Sequence, residues 1–268
     1  MARHAPRNET RNWSPTIGRA SAARHRRASQ AGAADWIWGW HAVLAALANP
    51  VRGPLERLVA TSERARQLGS EVTGAPAPDI LDGPAIARLL PAGATHQGLA
   101  LKIAPLEPVS IAALATPPTG VLVMLDQVTD PQNVGAILRS AAAFGARGVI
   151  VQDRHAPQFT GALAKAAAGA VDAIPHARVV NLARALDELA DLGWRAVGLA
   201  GEAQASLAAV LDRRPTVLVL GSEGQGLRRL VGEHCDALAR IPLPGGFASL
   251  NVSTAAAVAL YQATQVLD

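Results

Sequence analysis

The chain has 268 residues, half of them hydrophobic and few aromatic, with one cysteine, Cys235. That length is enough for one large or two small domains with a real core. No apolar run reaches the roughly 20 residues of a membrane span, and a lone cysteine excludes an internal disulfide framework, so a reducing, cytoplasmic setting is expected.

Charge is unevenly spread. Residues 1–34 hold seven arginines (Arg3, Arg7, Arg11, Arg19, Arg24, Arg26, Arg27) and one acid, Glu9, for a net +6, whereas residues 35–268 carry 18 basic and 20 acidic side chains. This tail lacks apolar periodicity and reads as disordered on its own. An arginine-rich arm points to an anionic partner, foremost nucleic acid. A solubilising tail and an organellar transit peptide are the alternatives, and the lack of an apolar h-region argues against secretion.

In "DWIWGWHAVLAALANP", Trp36, Trp38 and Trp40 alternate, which on a strand sets all three on one face. A short helix over 41–48 follows and stops at Asn49-Pro50. "LERLVAT" (55–61) reads as a strand, 62–69 as a helix and "THQGLALKIA" (95–104) as a strand, together a small α/β unit over 35–104. The proline-bounded segment 105–118 reads as a linker.

From 119 the pattern turns to strand–helix alternation. "VLVMLD" (121–126) and "TVLVLG" (216–221) are continuous apolar runs, as in strands buried on both faces. Further strands are predicted at 148–152, 195–200 and 239–243, and helices at 134–144, 160–169, 181–191 and 252–266. Such alternation predicts a mostly parallel α/β sheet over 119–268, with ligands at the carboxyl ends of its strands.

Three loops at strand ends stand out. In "LDQVTDPQNVGAILRSAAAFGA", Asn133 opens a helix and Arg139 follows six residues later, about 120° round the helix. An arginine on a helix so poor in charge needs an anionic partner or an exit to solvent. In "LGSEGQG", glycines permit close backbone approach, and Glu223 is an unusual charge at the tip of a buried strand. The spacing fits neither a dinucleotide fingerprint nor a P-loop. In "GGFASLNVSTAAA", Asn251 or Ser253 could cap the last helix, but capping does not account for the whole alternating polar run. No Cys/His cluster has metal-ligand spacing, and no nucleophile elbow is present. Cys235 reads as a small buried apolar residue, and His41, His96 and His155 as structural or exposed.

Taken together, "DQVTDPQNVGAILRSAAAFGARGVI", "LVLGSEGQGLRRL" and "CDALARIPLPGGFASLNVSTAAAVALYQ" resemble, in order and separation, the three motifs of SpoU-type RNA ribose 2′-O-methyltransferases of the SPOUT class. The likeness covers roughly 119–268, and Trp38 to Ala104 looks like the small RNA-binding domain preceding the catalytic domain in many of these enzymes. The chain is most similar to the branch that methylates a guanosine of large-subunit (23S) ribosomal RNA.

The resemblance implies S-adenosyl-L-methionine as cofactor, a Rossmann-like parallel sheet with a C-terminal trefoil knot, and a homodimer formed through the catalytic domain. It implies catalytic roles for Asn133, Arg139, Glu223 and Asn251, and cofactor contacts for Gly221, Ile241, Ser249 and Leu250, without a metal. Two departures are alanine at positions near 165 where relatives commonly carry serine, and "PLPGGFAS", where relatives often carry methionine after the first proline. The competing readings are a transfer-RNA ribose methyltransferase, a resistance-type methylase acting on a ribosomal adenosine, a non-catalytic RNA-binding assembly factor on the same fold and, remotely, a nicotinamide-dependent oxidoreductase.

Overall fold

The computed structural model describes residues 35–53, 55–72, 74–245 and 249–267. The reading of the arginine-rich tail, and residues 246–248 of the third loop, lie outside them.

The first part of the chain builds a four-stranded sheet. Its elements are β1 (Asp35–Trp38), α1 (Trp40–Ala48), β2 (Leu55–Ala60), α2 (Ser62–Glu71), β3 (Asp79–Ile80), α3 (Gly83–Arg88) and β4 (Leu99–Ile103). The order is β1-β4-β2-β3, with β4 antiparallel to both neighbours and β3 parallel to β2. The strand expected over 95–104 is shorter, because Gln97 and Gly98 take positive φ (56° and 76°) and turn the chain into β4. The tryptophans do not share one face. Gly39, at φ 88°, ends the strand, so Trp36 and Trp38 pack with Val59, Ile86 and Leu90, while Trp40 starts α1 and leans on the main core.

The second part is α4 (Ile111–Ala115), β5 (Val121–Asp126), α5 (Pro131–Ala143), β6 (Gly148–Gln152), α6 (Gly161–Ala167), α7 (Ala170–Ala173), β7 (His176–Val179), α8 (Leu182–Asp191), β8 (Arg195–Leu199), α9 (Leu207–Val210), β9 (Thr216–Gly221), α10 (Arg229–Glu233), β10 (Ala237–Ala239) and α11 (Val252–Leu267). Its six strands are all parallel, in the order β10-β8-β9-β5-β6-β7. The period of two along a strand sends Val121, Val123 and Leu125 into one core with α5, α6 and α11, and Leu122 and Met124 into another with α4 and α8. Both faces are covered, which is why β5 and β9 read as unbroken apolar runs.

The expected linker therefore holds a helix. Ser110 caps α4 by accepting from Ala113 N at 3.1 Å, and Ile111, Leu114 and Ala115 are buried under the large sheet. The last strand lies at 237–239 rather than 239–243. There it pairs with Val197–Leu199, while Pro242, which has no N–H to donate, sits in the irregular stretch beyond. Helices α5 and α6 meet closely, since a Cβ on Gly135 would lie 2.8 Å from the Leu163 carbonyl oxygen.

From β5 the chain runs outward through β6 and β7, then crosses to β8 and β9 on the other side of β5. Adjacent β5 and β9 thus flank the switch point of the sheet, where open α/β sheets place their ligands.

Candidate active site

The loop after β5 is shaped by Asp130, whose carboxylate accepts from Asn133 N at 2.9 Å and caps α5, with Pro131 pre-set for the first helical position. This leaves the Asn133 side chain at the helix mouth, where its Nδ2 donates to Glu223 Oε1 at 3.1 Å. Asn251 Nδ2 donates to the same oxygen at 2.6 Å and to Asn133 Oδ1 at 2.9 Å. Val252 N reaches Glu223 Oε1 at 3.3 Å. Three side chains 28, 90 and 118 positions apart thus meet in one hydrogen-bonded junction.

The polar run before α11 does two jobs at once. Asn251 Oδ1 accepts from Ser253 N (2.9 Å), Ser253 Oγ (2.6 Å) and Thr254 N (3.3 Å), so it caps the helix. Its Nδ2 serves the junction. Among the described residues Glu223 is thereby held by amide donors and by the positive end of α11, and by no cation.

The glycine loop has its own reasons. Ser222 and Gly226 exchange backbone hydrogen bonds at 3.1 and 3.0 Å, and a Cβ on Gly221 would collide with the carbonyl of Gly226. Beneath the loop lies Asp126, fully buried at the end of β5. It accepts from Arg228 N at 2.9 Å and from Arg228 Nε at 2.7 Å, tying the far end of the loop to the sheet. Sequence reading passed over this pair, because a carboxylate closing an apolar strand looks like the start of a loop.

A cavity of about 650 Å³ opens beside the junction, lined by the ends of β8, β9 and β10 and the start of α11. Gly221, Ile241, Ser249 and Leu250 all line it, together with Glu223 and Asn251. Asn133 lies outside the lining and touches it through Glu223. The segment Leu199–Glu202 lines it too and was missed; its signal was "LAGE", a small-residue and acidic step at the end of an apolar strand. Arg139 is exposed, and its side chain makes no hydrogen bond or ion pair with another described residue. The structure therefore brings Asn133, Glu223 and Asn251 together and leaves Arg139 as an available cation on the same helix as Asn133.

Cys235 is partly exposed rather than buried outright. Its thiol donates to Val231 O at 3.3 Å, and burial, with the nearby Asp236 and Asp126 charges, pushes its pKa up to about 12. A thiol so disposed is inert as a nucleophile.

The model of the SpoU rRNA methylase family matches residues 120–261. The chain belongs to that family. A second family model, for RNA 2′-O ribose methyltransferase substrate binding, matches residues 36–109. The SpoU match contains Asn133, Arg139, Glu223 and Asn251, and the substrate-binding match covers the four strands of the smaller sheet except Asp35, the first residue of β1. Among curated relatives, the 23S rRNA (guanosine-2′-O-)-methyltransferase RlmB of Xylella fastidiosa is 40% identical over 246 residues, covering 86% of this chain and 96% of that protein. An uncharacterised tRNA/rRNA methyltransferase of Synechocystis is 39% identical over 242 residues, and the match spans 62% of its length. The fold is that of the SpoU methyltransferase AviRb of Streptomyces viridochromogenes, solved with the cofactor AdoMet, at a TM-score of 0.73 and 23% identity over 87% of this chain and 90% of that one.

Proposed function

We propose that this SpoU-family chain transfers the methyl group of S-adenosyl-L-methionine to the ribose 2′-hydroxyl of a guanosine in 23S ribosomal RNA. The observation that carries the reading is the Asn133–Glu223–Asn251 junction at the mouth of the 650 Å³ cavity. RNA as the substrate class is supported by the two family matches, and the guanosine of 23S RNA by the likeness to the Xylella relative.

The cavity suits the cofactor. Its volume lies in the range of small-molecule sites, Leu199, Ile241 and Leu250 offer apolar walls, and Ser249 and the Gly221–Gly226 backbone offer polar contacts. When bound, S-adenosylmethionine supplies an already activated methyl on a sulfonium cation. Glu223, met among the described residues by amide donors alone, favours a cation nearby. A ribose hydroxyl is a poor nucleophile at neutral pH, so its proton, which passes to solvent water, must be removed and its developing oxyanion stabilised. Arg139 holds a phosphate or the developing oxyanion, since a guanidinium offers five N–H donors in a planar fork and no acceptor for a proton. Asn133 orients Arg139 or the ribose, and alignment supplies much of the acceleration.

The same reading includes a C-terminal trefoil knot, as the family resemblance implies, and a homodimer through the catalytic domain. Val258 and Tyr261, 39% and 54% exposed on α11, support an apolar face for the second copy. The arginine-rich tail adds RNA affinity through phosphate contacts.

The test is transfer of labelled methyl from S-adenosylmethionine to unmodified 23S rRNA and, separately, transfer RNA, with the labelled nucleotide mapped. Label on one 23S guanosine ribose supports the proposal. Label on transfer RNA keeps the chemistry and overturns the substrate, and no label on either RNA despite cofactor binding overturns the reading for free RNA.

A further inference from the structure

A second cavity, about 580 Å³, lies between the two sheets. Its walls come from both parts of the chain: Asp35, Trp38 and Gly93 on one side, Gln132, Thr160 and Lys165 on the other. Gln132 precedes Asn133 in the first turn of α5, so this cavity and the active-site junction share one helix mouth.

Lys165 is the unusual wall. The chain uses arginine for 23 of its 25 basic side chains and lysine only at Lys102 and Lys165. Lys102 pairs with Glu56 at 3.1 Å on the surface. Lys165 has no carboxylate partner among the described residues; its Nζ donates to the neutral Gln97 Oε1 at 2.7 Å, and burial lowers its pKa. The surroundings are shaped to admit it. Gly39, at φ 88°, leaves the space that a Cβ would take from the lysine stem, and Gln97 sits at φ 56°, a left-handed conformation that non-glycine residues seldom adopt. Gln97 Oε1 also accepts from Trp40 N at 3.1 Å, so the tether is fixed to α1. An uncompensated, oriented cation at the rim of a nucleotide-sized cavity is a phosphate site in search of its anion.

We propose that this cavity is a subsite for an RNA nucleotide flanking the target ribose, with Lys165 contacting its phosphate and Gln97 positioning Lys165. The proposal rests on RNA being the substrate, and it adds a contact shared by the two sheets and separate from the cofactor cavity. Register follows from it: a nucleotide held beside Gln132 fixes which neighbouring ribose reaches Asn133 and Arg139.

The test measures binding of an unmodified 23S rRNA transcript by full-length protein across a salt titration, with S-adenosylhomocysteine binding measured in parallel. Lys165→Met keeps the stem and removes the charge. The expected result is roughly tenfold weaker RNA binding, a loss of about one from the slope of log K against log salt, and unchanged S-adenosylhomocysteine affinity. Gln132→Glu, which favours its helix N-terminus and sets a negative charge on the rim, is the second variant; severalfold weaker RNA binding is expected without loss of thermal stability. An unchanged slope in Lys165→Met, RNA affinity unaffected by both variants, or no RNA binding by the unaltered protein would each overturn the proposal. Lys165-dependent binding of free guanosine monophosphate with an unchanged RNA slope would also overturn it, showing a mononucleotide site instead. Failure of methyl transfer alongside an intact Lys165 effect on RNA binding would sink the proposed reaction and leave this subsite standing.

Discussion

Two arginines and two carboxylates sit at the end of the adjacent strands β5 and β9 or on the segments that follow them, and the structure treats them as opposites. Arg228 is locked to the buried Asp126 through its backbone N–H and its guanidinium. Arg139 is exposed without an ionic partner among the described residues, and Glu223 is met only by Asn133, Asn251 and Val252 donors. The paired charges hold the scaffold, because a carboxylate taken out of water needs a compensating partner. The unpaired ones keep their charge for something that is not protein. Mutual pairing of Arg139 and Glu223 would have neutralised the site.

That contrast can be broken by experiment. The largest effect is expected from Arg139→Ala, which should reduce methyl transfer by about a thousandfold, on the scale of lost oxyanion stabilisation, with cofactor affinity and thermal stability nearly unchanged. Single-turnover rates beside calorimetric titration of S-adenosylhomocysteine check it, and near-normal activity would remove Arg139 from the reaction.

The next effect separates acid stability from the site. His176 is buried against Phe159, with ring centroids 4.3 Å apart, and desolvation, then the Arg178 and Arg52 charges, lower its pKa to about 4 from 6.5. Below pH 6.5 the unfolded chain therefore takes up a proton that the folded chain refuses, and stability falls until about pH 4. The shift corresponds to about 3 kcal/mol at the acid end. Urea melts from pH 7 to 4 should show this loss, and a His176→Phe protein should show a flatter profile; an unaltered profile would put the acid sensitivity elsewhere.

Asp126→Asn tests the scaffold pair. Because the Arg228 side chain is 44% exposed, the cost should lie below that of a fully buried pair, at about 2 kcal/mol in urea melts. Glu223→Gln should be the mildest, with about a tenfold slower methyl transfer and stability within about 0.5 kcal/mol, since the two side-chain amides meet it in exposed hydrogen bonds. A reversal, with Glu223→Gln unfolding the protein and Asp126→Asn only slowing it, would overturn the division between paired and unpaired charge.

Much of this was legible in the sequence for local reasons. Continuous apolar runs declare strands covered on both faces, so β5 and β9 were placed within their observed bounds. The glycines of "GSEGQG" and the polar run before α11 marked unusual backbone, and the resemblance of three ordered motifs carried the family. Short elements escaped, including α3, β7, α9 and α10, because four to six residues hold little periodicity. The tryptophan alternation misled, since one glycine at φ 88° ends the strand and turns Trp40 into the next helix.

By itself, then, the sequence determined the strand cores, the helix that follows β5 and the three polar loops, because hydrophobic period and turn chemistry act over a few residues. Only the tertiary structure decided that Asn133, Glu223 and Asn251 would share one oxygen, that Asp126 would take Arg228, and that Lys165 would reach Gln97 across two sheets. Those contacts span 28 to 118 positions; parallel strands bring the first two sets of loops together, packing of α6 against the smaller sheet brings the third, and separation along the chain carries no local signal of either.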